Sequence, residues 1–260
     1  MITYARETTL LTWRGLRAIT RVPERLLDVT VQPVIFILLF LYVFGAAIHV
    51  TGITYKAFLF PGIIAQSLAF GIMGTGTATA NDMREGVVDR FRSMPVSRLA
   101  IISGQVMGQL CEQILGLAIT VVLGLILGWR PSFDLVQGLE LFGLVALSMV
   151  AFTWTGVFFG MIVRSPDAMQ GVGFIIVFPL TMMAGTFVPI KDMALIPRSI
   201  AEWDPFSSFV ASIRQLTQNY PSHGSLPLDH PELAMLFWSL LLLAIMLPLA
   251  MRRFSRGLAS

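Results

Sequence analysis

Apolar residues in this chain do not alternate with polar ones. They run in six long blocks, 29–50, 57–80, 100–128, 138–163, 169–189 and 233–251, separated by shorter polar connections. Each block holds about 19 residues or more, and 20 helical residues rise about 30 Å, the thickness of a bilayer's hydrocarbon layer. Barrel strands would alternate in polarity instead. Helices also satisfy their own backbone groups where there is no water. The pattern therefore predicts an all-α polytopic membrane protein with six transmembrane helices.

Composition narrows the class further. Of 260 residues, 55% are apolar and 13% charged, and the mean hydropathy is +0.77. A soluble domain carries about 25% charged residues, and a disordered chain cannot hold this much apolar surface in water. The lone Cys111 permits no internal disulfide. No internal repeat or low-complexity tract is present. The chain reads as a single transmembrane domain over 1–260, with an interfacial segment at 1–28, a cytosolic segment at 81–99 and an external segment at 190–232.

The basic residues set an orientation. With both termini in the cytoplasm, thirteen of the 18 basic residues fall inside and only Lys56, Arg130, Lys191, Arg198 and Arg214 outside, a positive-inside bias. A cleaved leader is not expected, since the first apolar run starts late and is too long for a signal-peptide core. The expected location is the cell (plasma) membrane, crossed several times.

Two cytosolic segments carry amphipathic patterns. Within 8–28, Arg14, Arg17, Arg21 and Arg25 recur at spacings of 3, 4 and 4, with Trp13, Leu16 and Ile19 on another face. Such a helix rests among lipid headgroups, as an anchor or as a surface for a cytosolic partner. Pro23 is expected to bend it into the first span. At the end of the second block, Met83, Val87, Phe91 and Met94 form an apolar stripe spaced 4, 4 and 3, beside polar Asp82, Glu85, Asp89 and Arg92. A short helix of this kind docks in a groove of a soluble partner; a solvated loop is the alternative.

These features, taken in order, resemble the permeases of type 2 ABC transporters, and most of all the daunorubicin-resistance-type export permeases of actinobacteria. The resemblance rests on the amphipathic amino-terminal helix, the six spans, Glu85-Gly86 through Pro95-Val96, and the external Trp203-Asp204-Pro205-Phe206 followed by a helix ending near Arg214. Asp204 departs from the family, where Asn often stands. The resemblance implies a transmembrane subunit that pairs with a second permease copy or a paralogue and is driven by two separate ATP-binding-cassette ATPase subunits. Residues 82–96 would then be the coupling helix, with Asp82, Met83, Arg84, Glu85, Val87, Phe91 and Met94 meeting the ATPase.

Independently of that resemblance, the chain holds no phosphate-binding loop. Such a loop needs Gly-Lys followed by Ser or Thr, and the two lysines follow Tyr55 and Ile190. No cofactor is expected in this chain, and ATP and Mg would be bound by a partner. His49, His223 and His230 have no metal-ligand spacing, no catalytic constellation stands out, and no nucleic-acid partner is expected.

The costliest residue is Glu112, about 12 residues into the third helix and so roughly 18 Å deep. A charge at such depth costs about 2.5–3.5 kcal/mol on insertion scales. Gly104, Gln105, Gly108, Gln109 and Glu112 fall within about 140° of one another. This wedge either borders a translocation path or dimer seam, with Glu112 attracting cationic amphiphiles or switching protonation, or it buries a structural, neutral glutamate. In the second helix Gly71, Gly74, Thr75, Gly76 and Thr79 form a thin polar surface that lines a pathway or seats a neighbouring helix. Gly124/Gly128 and Gly156/Gly160 are further small-residue pairs.

Externally, Phe206, Phe209, Ile213 and Leu216 follow a 3, 4, 3 spacing suited to the outer interface. Pro179, Gly185 and Pro189 let the fifth helix break and return. Trp203, Asp204, Phe206 and Phe209 thus make a candidate external gate, or an interface anchor. The expected function is ATP-driven export of amphiphilic small molecules or lipids. A polysaccharide or glycolipid exporter of the same family, a proton- or ion-coupled carrier using Glu112, and a membrane enzyme using Glu112 are the competitors; the last lacks a second catalytic group at depth.

Overall fold

The computed structural model describes residues 23–48, 50–86, 98–222 and 224–256, without side chains for 23–30, 98–103 and 255–256. The chain is helical throughout its ordered elements, with no strand among the described residues. The first helix, α1 (Pro23–Leu38), continues as a π turn over Leu39–Phe44. Then follow α2 (Tyr55–Arg84), α3 (Arg98–Ile126), α4 (Leu135–Gly160) and α5 (Pro166–Thr181). After α5 come α6 (Leu195–Trp203), α7 (Pro205–Gln218) and, past a short turn at Leu226–Asp229, α8 (Pro231–Arg256). Among the described residues, five helices, α2 to α5 and α8, are long and apolar enough to cross a membrane, and Val31–Phe44 forms a shorter apolar helix.

Several expectations need correction. Residues 23–28 belong to α1, the helix of the first span, and not to a separate interfacial helix; the chain leading into Pro23 lies outside the described residues. The remainder of the proposed interfacial helix lies outside the described residues. The first span stops at Phe44, before Gly45, short of the expected residue 50. The second helix is longer than expected, reaching Arg84, and its 30 residues span about 45 Å, more than a hydrocarbon layer.

The axis of the bundle is α2. Two-thirds of its apolar window is buried in protein, against 17% for α3 and for α8. It packs on α4, α5, α7, α3 and α1. Its buried residues Leu59, Phe60, Ile63, Leu68 and Ile72 join Phe152 of α4, Phe209 and Ile213 of α7 and Met235 of α8 in one core. Small residues bring α2 and α4 together. A Cβ at Gly156 would lie 2.6 Å from the Ile72 carbonyl oxygen, and one at Gly160 would lie 2.7 Å from the Thr79 Cβ. Glycine at these two positions is what lets the backbones approach.

Candidate functional site

Between α1, α2, α3 and α5 lies a cavity of about 900 Å³. One wall is aromatic. Phe174 and Phe178 stack with centroids 4.7 Å apart and planes 9° apart, Phe70 lies parallel to Phe178 at 6.5 Å, and Phe36 meets Phe178 edge-on. The facing wall is built by α3, with Gln109, Glu112 and Gln113, and by the polar side of α2, with Gln66, Ser67, Thr75, Thr77 and Asn81. A cavity lined by both aromatic and hydrogen-bonding side chains suits an amphiphile.

The residues proposed for the path divide in two. Thr75, Gln109 and Glu112 line the cavity. Thr79 and Gln105 do not. They sit nearer Arg84, in the seam between α2 and α3. There the Gln105 amide donates to Thr79 Oγ1 at 3.3 Å and to Asp82 Oδ2 at 3.0 Å, and Thr79 Oγ1 donates to the Thr75 carbonyl at 2.8 Å. The polar side of α2 likewise does two things: Gly76 and Thr79 seat α4, while Gly71 and Gly74 border the cavity.

Gln113 had not stood out in the sequence, because it is the residue after Glu112 and falls beyond the small-residue wedge. Its amide nitrogen donates to Thr153 Oγ1 at 2.9 Å and to Thr75 Oγ1 at 3.4 Å, tying α3 to α4 and α2. The signal available was a second polar side chain at the same depth as the glutamate.

At the Arg84 end of α2, Asp82, Met83, Arg84 and Glu85 are in place, and Glu85 accepts a hydrogen bond from the Asn81 amide at 2.8 Å. The expected single stripe from Met83 through Val87 is corrected here. Gly86 adopts φ +64, a left-handed conformation that ends the helix. Met83 therefore belongs to α2, and Val87, Phe91 and Met94 lie outside the described residues.

At the opposite end the picture changes more. Phe206 and Phe209 do not face an outer interface: both are buried, packed edge-on against each other, and Phe209 meets Phe152 at 5.0 Å. Ile213 and Leu216 are buried too. Helix α7 is enclosed on nearly every side by α2, α4, α8 and the break after α5. The apolar face left open belongs to α6, where Leu195, Ile196, Ile200 and Trp203 are exposed. The reason is the chain's return path: α6 covers the end of the bundle, and α7 drops into it.

Two ionisable groups hold that return. Asp204 caps α7, its Oδ1 accepting from the Phe206 backbone at 3.1 Å. Burial raises its pKa to about 7, against a smaller lowering by that backbone bond. Arg214, counted above among the external charges, is buried. Its guanidinium donates to the Phe58 carbonyl from Nε and Nη2 (3.3 and 2.9 Å) and to the Gly185 carbonyl from Nη2 (3.0 Å). It also lies 3.7 Å over the Phe58 ring. Burial lowers its pKa to about 9, and Tyr220 acts in the opposite direction. Both carbonyls sit where helices are disturbed: Gly185 at φ +69 in the break after α5, Phe58 in the turn preceding Pro61 of α2. The carbonyl that Pro61 itself leaves without a helical donor is that of Ala57, next to Phe58.

Among the described residues no group of three or more His, Cys, Asp or Glu is close enough to hold a metal ion. Lys56 and Arg130 are occupied otherwise, donating to the Leu127 and Leu125 carbonyls at 2.9 and 2.7 Å, where cations suit a helix C-terminus.

The sequence model of the ABC-2 type transporter family matches residues 6–217, which takes in α1 to α6 and all but the last residue of α7. The chain belongs to this family. It is 29% identical, over 78% of its length and 72% of the relative's, to the daunorubicin resistance ABC transporter permease protein DrrB1 of Streptomyces coeruleorubidus. It is 25% identical to the doxorubicin resistance ABC transporter permease protein DrrB of Mycobacterium tuberculosis, over 72% of this chain and 66% of that protein. With the inner membrane transport permease YhhJ of Escherichia coli it shares 28% identity over 57% of its own length and 40% of the relative's. Membership makes it a transmembrane permease subunit of an ABC transporter and implies association with ATP-binding-cassette ATPase partners.

Proposed function

We propose that this chain forms the membrane pathway of an ATP-driven exporter of amphiphilic small molecules or lipids. Two separate ATPase subunits would drive it, and a second permease, a copy or a paralogue, would complete it. The observation that carries the reading is the cavity of about 900 Å³ with its aromatic and amide–carboxylate walls. Glu112 on its rim suits a cargo bearing a positive charge. The named drug-resistance relatives support small amphiphiles over polysaccharides, and the aromatic wall does so independently.

The Arg84 end is cytosolic in this reading, because thirteen of the 18 basic residues fall on that side. Asp82, Met83, Arg84 and Glu85, with Val87, Phe91 and Met94 beyond Gly86, receive the ATPase. Because α2 is one continuous helix from Tyr55 to Arg84, displacement at the Arg84 end shifts the cavity wall at Thr75 directly. Such coupling needs an ATPase that binds the two membrane states with different affinity. Trp203 and Asp204 border the outer exit. The apolar face of α6 rests on membrane lipid, with Trp203 at the interface.

The test is reconstitution. The chain, purified with its ATPase in mild detergent and placed in proteoliposomes, moves a cationic aromatic amphiphile only when ATP is supplied, and Phe91→Asp stops transport while leaving the bundle folded. Uphill transport by the chain alone, driven by a proton gradient, would replace this reading with the Glu112 carrier.

A further inference from the structure

Six glutamines stand on the four helices around the cavity, and they divide by what they bond. Gln66 donates to Thr181, Gln105 to Thr79 and Asp82, and Gln113 to Thr153 and Thr75, each tying its helix to a neighbour. The other three do not. Gln32 of α1, Gln109 of α3 and Gln170 of α5 line the cavity, and their side chains make no hydrogen bond to the described residues. Gln32 and Gln109 are half-buried and Gln170 is exposed, so all three are reachable from the open space. Amides inside a bundle ordinarily bond to an adjacent helix; these three, each from a different helix, open on the cavity instead.

Their level is set by neighbouring contacts. Phe70 lies parallel to Phe178, and Phe36 meets Phe178 edge-on, so three rings share one level. Nearer Arg84, Met73 rests on Gly173 and Met169 on Gly76, which puts Gln170 between the levels of Met73 and Gly76. Gln109 stands midway between Gln105, bonded to Thr79, and Gln113, bonded to Thr75. Helices α1 and α5 run the same way, with Phe36 at Phe178 and Phe40 at Phe187, so Gln32 lies one turn before the rings on the same side as Gln170. The three amides thus sit about 6–12 Å from the aromatic level, towards the Arg84 end.

We infer that Gln32, Gln109 and Gln170 are specificity-determining residues that hold the hydroxyl- or amide-bearing head of a cargo whose aromatic ring lies at Phe36, Phe70 and Phe178. The cargo is therefore oriented, head towards Arg84 and ring away from it. An amide both donates and accepts, as a hydroxyl does, so a head with adjacent hydroxyls uses both ends of each glutamine. Among the described residues the lining contains Glu112 and no Lys, Arg or His, which makes it a poorer fit to a phosphate head. A cargo with its donors blocked leaves the amides unpaired, the asymmetry by which a hydrogen-bonding site rejects an analogue lacking one hydroxyl. This inference rests on the reading of the cavity as the cargo site and adds to it the residues that read the head.

The test uses two radiolabelled probes that differ only in the head, the naphthyl monoether of glycerol and the same compound with both hydroxyls methylated. Each is measured by equilibrium dialysis against the purified full chain in phosphatidylcholine nanodiscs, with uptake by empty nanodiscs subtracted. The wild type is expected to bind the diol about tenfold more tightly than the methylated probe. Gln32→Leu, Gln109→Leu and Gln170→Leu are each expected to narrow that ratio severalfold, while Phe178→Ala weakens both probes equally. Equal binding of the two probes to the wild type, or a ratio untouched by all three glutamine substitutions, with Phe178→Ala weakening both, overturns the role of the amides and leaves the cavity reading standing. Naphthyl phosphate bound more tightly than the diol overturns that role as well. No saturable binding of either probe, or binding indifferent to Phe178→Ala, overturns the cavity reading and this inference with it.

Discussion

Arg214 and Phe58, 156 positions apart in the chain, are joined by two hydrogen bonds from one guanidinium to one carbonyl, and the same guanidinium reaches the Gly185 carbonyl. A planar fork of five donors suits this task, and an ammonium does not match it. The result is that the start of α2, the break after α5 and the buried helix α7 are held at a single point.

Replacing Arg214 therefore loosens all three elements. Arg214→Ala leaves two buried carbonyls short of a donor and opens a void over Phe58, a loss on the order of 3–5 kcal/mol. Arg214→Lys, which keeps the charge but reaches one carbonyl, falls between the two. The midpoint of thermal unfolding in mild detergent reports the order wild type, Lys, Ala. An Ala variant as stable as the wild type removes the clamp from the account.

Asp204 gives the same region a pH dependence. Its pKa in the fold is raised to about 7 from 3.8, so the folded chain holds a proton that the unfolded chain releases. The stabilisation is complete below about pH 4 and is lost as pH rises through 7. Asp204→Asn keeps a good helix cap and carries no charge. It is expected to flatten the pH profile between 4 and 8 and to stabilise the chain at pH 8 by about 2–4 kcal/mol. Parallel profiles for the two proteins would contradict the burial argument.

The crossing of α2 and α4 is sensitive to one methyl group. Gly156→Ala places a Cβ against the Ile72 carbonyl and Thr75, where backbone must move, and is expected to cost about 1–3 kcal/mol. Gly143 lies in the same helix with open space around it. Gly143→Ala removes only the helix penalty of glycine and is expected to stabilise by about 0.5–1 kcal/mol. Comparison of the two midpoints separates packing from propensity.

Glu112 tests the charge preference of the cavity. Glu112→Gln preserves size and hydrogen bonding and removes the anionic form. In the reconstituted transporter it is expected to lower the rate for a cationic amphiphile severalfold against that for a neutral one of the same shape. Equal rates for both cargoes in wild type and variant would make Glu112 a structural residue.

The membrane class, the long helices and their order follow from block length and apolarity alone, since a helix that satisfies its own backbone needs no partner to be recognised. The small residues on α2 and the break near Gly185 were legible for the same local reason. Which way a helix faces was not. Phe206, Phe209, Ile213 and Leu216 fit an interfacial stripe as well as a buried one, because the spacing marks an apolar face and says nothing of what covers it. The burial of Arg214 was not legible, because the carbonyls that solvate it come from Phe58 and Gly185, far away in the chain. Gln113 gained its meaning only when Thr75 and Thr153 fixed its amide. Sequence thus determined which segments enter the membrane, through backbone self-sufficiency and transfer free energy. Tertiary structure decided which polar groups are paired and which helix is swallowed by the bundle, because those depend on neighbours brought together across the fold.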